Sequence, residues 1–410
     1  MTTRRTLSYC VSLGLVLLMT GCAGEPGTST ATVPGVTDST ITLGTWGPLT
    51  GPAAPWGALP RGMETYFKMI NEAGGIHGRR IRFIVKDDQY QPARTVAAVK
   101  EMVERDNVFA ILGGIGTAPG MAVKDYINAH QVPWIGVLTG AHYFTHPIQD
   151  NLFGGLPLYF DEAALLADYA VTELGKTKVA VLYQNDDYGK SGLVGAQMAM
   201  EQHGMALTEA FSVELMDSDL SSQAIRLRES GADAVLLYVT PRHAANILGE
   251  ASKLGFRPQW IGSLTLADAA LMHTLTNGLW EGVVFGTILN AYAVEGPLMQ
   301  QYEAAHQRYA AEERGGYLFY EGMAIADYLA EGLRQAGRDL TRATLIAEIA
   351  SLDGYRNIGA PISYETNARH GFRSIKIVRC LSAGEVETLK DWTESDLDIE
   401  AAIHRLEGGT

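Results

Sequence analysis

The sequence predicts an α/β protein made of two similar lobes, each built on a parallel sheet. From residue 41 onward, apolar segments of strand length alternate with longer segments of helical periodicity, a pattern typical of parallel sheets covered by helices on both faces. The alternation starts again after residue 158. In each half, an early strand runs into acidic residues and a tyrosine, at 86–90 and 185–188. We therefore expect two lobes rather than one large sheet.

The first half contains the clearest strand and helix patterns. Met63, Phe67 and Ile70 share one face of the first predicted helix, and the pair Gly74-Gly75 ends it. The predicted strands are 41–44, 81–85, 109–112 and 134–138, and the predicted helices are 61–71, 92–105 and 121–129.

The second half repeats the pattern. The predicted strands are 179–183, 207–211, 234–239 and 260–262, and the predicted helices are 161–174, 193–203, 221–229 and 243–254. In open parallel sheets, ligands bind beyond the carboxyl ends of the strands. We therefore expect the functional residues just after strands, facing each other across a cleft between the lobes.

The N-terminal residues predict export. Arg4 and Arg5 precede an apolar run at 11–19, which is typical of a signal peptide and falls short of the roughly 20 apolar residues that a membrane span needs. Cys22 follows directly and the segment resembles a bacterial lipoprotein signal, in which this cysteine carries the lipid. We expect a signal peptide over 1–21, lipid attachment at Cys22 and a flexible tether over 22–38. Whether export follows the general or the twin-arginine route stays open.

Composition excludes several functions. The net charge of −14 repels nucleic acid, so no nucleic-acid partner is expected. Of three cysteines, only Cys380 lies in the predicted folded part, which excludes an internal disulfide. His142 and His146 have the spacing of metal ligands, but no third ligand is evident, so we expect no metal. No dinucleotide loop or nucleophile motif occurs either, and we expect no cofactor and no catalysis.

Several ordered motifs resemble one known family. They are GPLTGP at 47–52, NEAGGIHGR at 71–79, QVPWIG at 131–136, DYGK at 187–190 and LGFRP at 254–258. The segment from about residue 41 to about residue 379 is similar to the leucine/isoleucine/valine-type periplasmic solute-binding proteins of ABC importers. The resemblance implies the type I periplasmic-binding fold, in which two Rossmann-like lobes are joined by a three-segment hinge. It also implies a small-molecule ligand, permease subunits as partners and a monomer.

The same resemblance implies the domain boundaries. Lobe 1 is expected at 39–158 and 290–362, and lobe 2 at 159–289 and 363–395. Residues 396–410 are expected to form a charged surface tail. The protein is expected to be held by its lipid on the outer face of the cytoplasmic membrane.

The binding residues are carried over position by position. Trp56 matches an aromatic residue that covers the apolar end of the ligand, Thr117 matches a hydroxyl residue that holds a carboxylate, and Tyr188 matches an aromatic residue that closes on the ligand. The full set of expected ligand-binding residues is Trp56, Gly116, Thr117, Leu138, Thr139, Gly140, Tyr188, Tyr238 and Leu264.

Leu264 departs from the family pattern. Amino-acid binders have an acidic residue here that pairs with the ligand's ammonium group, and a desolvated ammonium without a counter-charge costs several kcal/mol. We therefore expect an apolar or aromatic carboxylate, or an amide-like solute. Branched-chain amino-acid binding stays open, because Asp187 or Asp268 offers another carboxylate. A ligand sensor for a signalling partner and, last, an α/β hydrolytic enzyme are the remaining alternatives.

Overall fold

Five parallel strands form the first sheet, in the order β2-β1-β3-β4-β5. The structure, a computed structural model, describes Thr2 and residues 33–290, 296–364 and 369–408. The strands are β1 Thr40–Gly47, β2 Arg80–Asp87, β3 Ala110–Leu112, β4 Trp134–Val137 and β5 Leu152–Gly154. Burial runs along almost the whole of β1 without alternation, as expected for a parallel strand covered on both faces.

The second sheet has the order β12-β11-β10-β9-β8-β6-β7. Its strands are β6 Val179–Gln184, β7 Glu209–Val213, β8 Ala234–Tyr238, β9 Gln259–Gly262, β10 Val284–Thr287, β11 Ser374–Cys380 and β12 Val386–Glu394. The pairings from β7 to β10 are parallel. The parallel sheets that the sequence predicted are confirmed, and the structure adds an antiparallel edge formed by β10, β11 and β12. The short connection at 381–385 permits a hairpin, whereas a parallel pair needs a long crossover.

Helices connect the strands of both sheets. They are α1 Ala58–Glu72, α2 Pro92–Lys100, α3 Thr117–Ala129, α4 Tyr159–Thr172, α5 Asp187–Gln202, α6 Ser221–Glu229, α7 Pro241–Lys253, α8 Ala269–Leu275, α9 Pro297–Tyr309, α10 Tyr317–Gln335, α11 Arg342–Ala350 and α12 Ile399–Leu406. Capping side chains stabilise the first turns of several of these helices. The Asp186 side chain accepts a hydrogen bond from the Gly189 amide at the start of α5. Thr240 caps α7 in the same way, with Pro241 in the first turn.

Three connections join the two sheets and give the two-lobed, hinged fold that the sequence predicted. The first is the segment 155–158 between β5 and α4. The other two run side by side, since the Ala360 amide donates to the Ile288 carbonyl and the Asn290 amide donates to the Ile358 carbonyl, each at 2.8 Å. The fold class is confirmed, while the exact residue boundaries of the lobes stay a prediction.

Both ends of the described chain are more ordered than the sequence indicated. Val36 pairs with Ile41, and the Gly35 carbonyl accepts a hydrogen bond from the Thr42 amide at 2.8 Å, so the expected tether already contacts the first sheet from residue 33. The earlier tether residues, Cys22 and the signal peptide lie outside the described residues. In the expected surface tail, α12 packs against α5 and buries Ala402.

Two glycines let α1 and α10 approach closely over the first sheet. A Cβ atom at Gly62 would lie 1.9 Å from the Phe319 carbonyl oxygen, and one at Gly322 would lie 2.0 Å from the Leu59 carbonyl oxygen. Both distances are far below van der Waals contact, and the obstructing atoms belong to backbone that has no freedom to move aside. The two helices therefore depend on these glycines for their spacing.

We expect Gly62→Ala to lower the free energy of unfolding by about 1–3 kcal/mol, because the added methyl group forces the two helices apart. The matched control is Gly249→Ala in α7, where a Cβ meets nothing within 4 Å. There, the better helix propensity of alanine predicts a gain of up to about 1 kcal/mol. Urea denaturation followed by circular dichroism measures both. Equal stability of the two variants would contradict the close contact.

Candidate functional site

A cavity lies where the carboxyl ends of the two sheets face each other. About 430 Å³ of space not filled by protein atoms, part of it open to solvent, lies among its lining residues. Its lining residues are Trp56, Leu59, Tyr90, Ile115, Gly116, Leu138, Leu156, Tyr159, Tyr188, Leu264, Thr265, Leu318 and Glu321. Most of these side chains are aliphatic or aromatic, which is typical of sites for small, largely apolar ligands.

Strand order explains why the cavity forms here. In the first sheet β1 lies between β2 and β3, and in the second β6 lies between β7 and β8, so the chain changes direction beside β1 and β6. Crevices open at such points, at the carboxyl ends of the strands. Most of the lining residues follow strands, as the sequence predicted. Among them, Gly116 has φ of 103° and a Cβ there would lie 2.4 Å from the Tyr90 ring, so this position requires glycine.

One hydrogen bond closes the cavity across the two lobes. The Trp56 indole nitrogen, in the segment after β1, donates to the Thr265 carbonyl oxygen after β9 at 2.9 Å. The Trp56 ring also packs on Tyr90, with ring centroids 5.5 Å apart, and on the edge of Tyr188 at 6.5 Å. Tyr159 continues this contact at 4.9 Å from Tyr188. We call Tyr90, Trp56, Tyr188 and Tyr159 the aromatic row.

Hydrogen bonds fix Tyr188 in the row. Its hydroxyl lies 2.7 Å from the Thr265 hydroxyl and 3.3 Å from that of Ser263, which themselves lie 2.7 Å apart. The tyrosine thus presents its ring, rather than a free hydroxyl, to the cavity. Burial raises its pKa well above the usual range, so the hydroxyl stays protonated.

The two expected carboxylate-binding threonines lie next to each other at one end of the cavity. Their hydroxyls are 2.6 Å apart, and the Ala141 amide donates to the Thr139 hydroxyl at 3.1 Å. Neither threonine lines the cavity itself, but their neighbours Gly116 and Leu138 do. Thr117 begins α3, where unpaired amides and the helix dipole favour an anion. The arrangement fits a ligand carboxylate.

Gly140 and Tyr238 lie behind the cavity wall. The Gly140 carbonyl accepts a hydrogen bond from the Tyr159 amide at 2.9 Å and so helps to place that ring. The Tyr238 hydroxyl donates to the Glu162 carboxyl at 3.0 Å, and the Leu264 amide donates to the other oxygen of this carboxyl. Tyr238 is therefore engaged with Glu162 in the structure and is not among the lining residues.

The sequence analysis did not identify two buried carboxyl groups near the site. Burial raises the pKa of Glu162 to about 8, and burial with the nearby charge of Asp268 raises the pKa of Glu321 to about 8. Both groups therefore hold a proton at neutral pH. Glu162 supports Tyr238 and Leu264, whereas Glu321 faces the cavity directly.

Sequence reasoning placed Trp56, Gly116, Leu138, Tyr188 and Leu264 in the site, and all five line the cavity. Ile115 and Thr265 also follow strands, where the sequence predicted the functional residues to lie. The lining residues that it missed are Leu59, Tyr90, Leu156, Tyr159, Leu318 and Glu321. The acidic-tyrosine motif at 86–90 was a usable signal for Tyr90. An acidic residue within the largely apolar first half of α10 was a usable signal for Glu321.

In residues 33–290, 296–364 and 369–408, no three potential ligands from His, Cys, Asp or Glu come together as a metal site. None of the helices described in the structure combines the length and the apolar character required to span a bilayer.

Comparisons with known proteins agree with this architecture. The family model described as periplasmic binding protein matches residues 40–385. The Leu/Ile/Val-binding protein homolog 3 of Brucella melitensis is 29% identical over 48% of this chain, and the match spans 53% of that relative, about half its length. A substrate-binding periplasmic protein from Ralstonia solanacearum has a solved structure with 25% identity and a TM-score of 0.79, covering 85% of this chain and 99% of that one.

A further solved structure shares the fold. The branched-chain amino acid ABC transporter protein from Thermus thermophilus, solved with bound valine, has 21% identity and a TM-score of 0.79 and covers 90% of this chain and 99% of that one. The relatives are named as binding proteins rather than enzymes, which agrees with the expected absence of catalysis. The family model also supports export, because its members are periplasmic. On the matched residues and the shared fold, the chain belongs to the periplasmic binding protein family.

Proposed function

We propose that the chain is the solute-binding component of an ABC importer and captures a small carboxylate with an apolar or aromatic body. The observation that carries this proposal is the largely apolar cavity between the lobes, lined by the aromatic row and bridged by the hydrogen bond from Trp56 to Thr265. A solute in this position contacts both lobes. It therefore stabilises the closed form in proportion to its preference for that form.

The polarity of the cavity defines the ligand in this proposal. At one end, Thr117 and Thr139 and the start of α3 offer hydrogen-bond donors for a carboxylate. Leu59, Leu156 and Leu318 provide apolar surface for the rest of the solute. An amide-like solute fits the same donors with weaker hydrogen bonds, because the charged acceptor is missing.

Branched-chain amino acids are the second candidate. Relatives are named as Leu/Ile/Val-binding proteins, and a structure of the same fold holds valine. Leu264 lines the cavity where the family pattern has an acidic residue, which weakens this candidate. A carboxyl on another wall, that of Glu321, strengthens it.

Transport follows from closure in this proposal. The protein acts as a monomer that closes on its solute and then docks on the permease subunits of the importer. No covalent chemistry is needed, because the importer supplies the energy and the binding protein supplies selectivity. Release requires only that the permease favour the open form of the lobes.

A thermal-shift and calorimetric screen tests this function. We expect the midpoint of unfolding to rise with 4-methylpentanoate, 3-phenylpropanoate, leucine or phenylalanine, because a solute that binds only the folded state stabilises it by mass action. The matching alcohols, which lack the carboxylate, should leave the midpoint unchanged. Binding of the alcohols as tightly as the acids would contradict a carboxylate site.

Thr117→Val tests the carboxylate end. Removal of the hydroxyl should weaken binding of whichever acid the screen identifies by about 1–3 kcal/mol. The matched control is Thr145→Val, since the Thr145 hydroxyl is equally buried and donates to the His142 carbonyl within its own loop. Titration calorimetry on both variants measures the difference. Equal affinities would remove Thr117 from the site.

We also propose that Cys22 carries the lipid that holds the protein on the outer face of the cytoplasmic membrane. The sequence around it supports this placement, and the following small residues supply a tether. Acyl chains contribute about 0.8 kcal/mol for each buried methylene group, so two chains give stable anchoring.

The full-length chain with Cys22→Ala, expressed in a bacterial host, is expected to leave the membrane fraction. Cys10→Ser, which changes a cysteine inside the expected signal peptide, is the control and should remain membrane-bound. Fractionation followed by immunoblotting measures both. Membrane association of the Cys22→Ala chain would disprove the anchor.

A further inference from the structure

A carboxyl group without a partner faces the cavity. Glu321 lies in the second turn of α10, is 3% exposed and lines the cavity. No described residue forms a hydrogen bond with its carboxyl group. On the same helix, the equally buried carboxylate of Asp327 accepts hydrogen bonds from the hydroxyls of Tyr66 at 2.6 Å and Tyr355 at 2.8 Å. Buried polar groups normally have such partners, so the exception at Glu321 requires an explanation.

The surroundings of Glu321 contain no positive charge that would serve as this partner. The described lining residues include no lysine, arginine or histidine. The titratable groups around the carboxyl are Asp268 from the segment before α8, Tyr317 and Tyr328 on α10, and Tyr90, Tyr159 and Tyr188 across the cavity. Burial and the Asp268 charge both raise the pKa of Glu321, to about 8. Without a solute, Glu321 is thus a neutral carboxylic acid at pH 7.

We propose that Glu321 is a ligand-binding residue that pairs with an amino group of the solute. Its carboxylate supplies, from lobe 1, the counter-charge that Leu264 does not supply from lobe 2. This inference rests on the proposed function, since it assumes a carboxylate solute in this cavity. It adds a second recognition point, which selects among carboxylates those that also carry an amine.

Charge balance favours an amine over other donors. Thr117 and Thr139 offer a place for the negative end of the solute, so an added ammonium group makes the solute neutral overall. Next to Glu321, the ammonium forms a charge-assisted hydrogen bond, which is stronger than a neutral one. A hydroxyl group would leave the acid protonated and gain less. The cavity therefore suits a zwitterion whose two charges meet the threonines and Glu321.

The proposed step releases a proton. The neutral acid and the incoming ammonium group form an ion pair, and the proton of the carboxyl passes to solvent. Because the complex favours the ionised carboxyl, the pKa of Glu321 falls on binding, and the affinity rises with pH. The rise is about ninefold from pH 6 to pH 7 and about fivefold from pH 7 to pH 8. Well above pH 8 the carboxyl of the unliganded protein is already ionised, and the gain ends.

Calorimetry of the wild-type protein tests this coupling without any substitution. Leucine and phenylalanine probe an α-amino group, 4-aminobutyrate probes an amine at the far end of the solute, and 4-methylpentanoate and 3-phenylpropanoate lack the amine. Titrations at pH 7 in two buffers of different ionisation enthalpy report the protons released. We expect close to one proton for an amino-bearing probe and none for its amine-free counterpart. Amino-acid binding without proton release would overturn the proposal.

The variant E321Q removes the ionisable group and keeps the shape of the side chain. We expect it to bind the amino-bearing probe at least tenfold more weakly, with no pH dependence, and to bind the amine-free acid as well as the wild type does. The matched control is E331Q on the same helix, because the Glu331 carboxyl pairs with the Arg334 side chain at 3.0 Å and does not line the cavity. E331Q should keep the proton release.

Two results would overturn the role of Glu321. One is an E321Q protein with unchanged affinity and pH dependence for the amino-bearing probe. The other is a wild-type protein that binds only the amine-free acids, which would leave the proposed function intact. If none of the acids bound to the wild type, the proposed function would fail together with this inference.

Discussion

The burial of the side chains between the lobes is the constraint on which the site depends. The hydrogen bond from the Trp56 indole to the Thr265 carbonyl bridges the lobes there, and the aromatic row packs beside it. A buried polar group loses hydration, so it needs a partner in the protein or in the ligand. Tyr188 finds its partners in the protein, and Glu321 does not. The same burial that favours binding of a ligand's apolar body therefore makes an unpaired carboxyl group energetically unfavourable.

Helix packing outside the cavity determines where the lining residues lie. The contact at Gly62 and Gly322 sets the spacing of α1 and α10, and that spacing decides where Leu59 and Leu318 meet the cavity. Glu321 precedes Gly322 directly, so its position follows from the same contact. In the other lobe, Glu162 on α4 holds the Leu264 amide and so orients the loop after β9. The positions of the lining residues therefore depend on helix packing as much as on the strand ends.

The alternation of strand and helix patterns, together with the resemblance in motifs, predicted the fold class and five of the lining residues. Both signals are local patterns along the chain. Trp56 and Tyr188 were found in this way. Glu321 was not found, because the sequence of its helix indicates an apolar stripe. Only the tertiary contact with α1 places this part of α10 at the cavity. Tyr238 lies behind the cavity wall because its hydroxyl donates to the carboxyl of Glu162, which is distant in sequence. No local pattern connects the two residues. The antiparallel edge of the second sheet likewise depends on a pairing distant in sequence.

The most direct test of this account is a crystal structure of the protein with the tightest-binding acid from the screen. The account predicts electron density for one solute in the cavity, with its carboxylate within hydrogen-bond distance of Thr117 or Thr139 and its body against Trp56 and Tyr188. A solute bound at any other place, or a cavity that stays empty while the protein binds the acid, would contradict it.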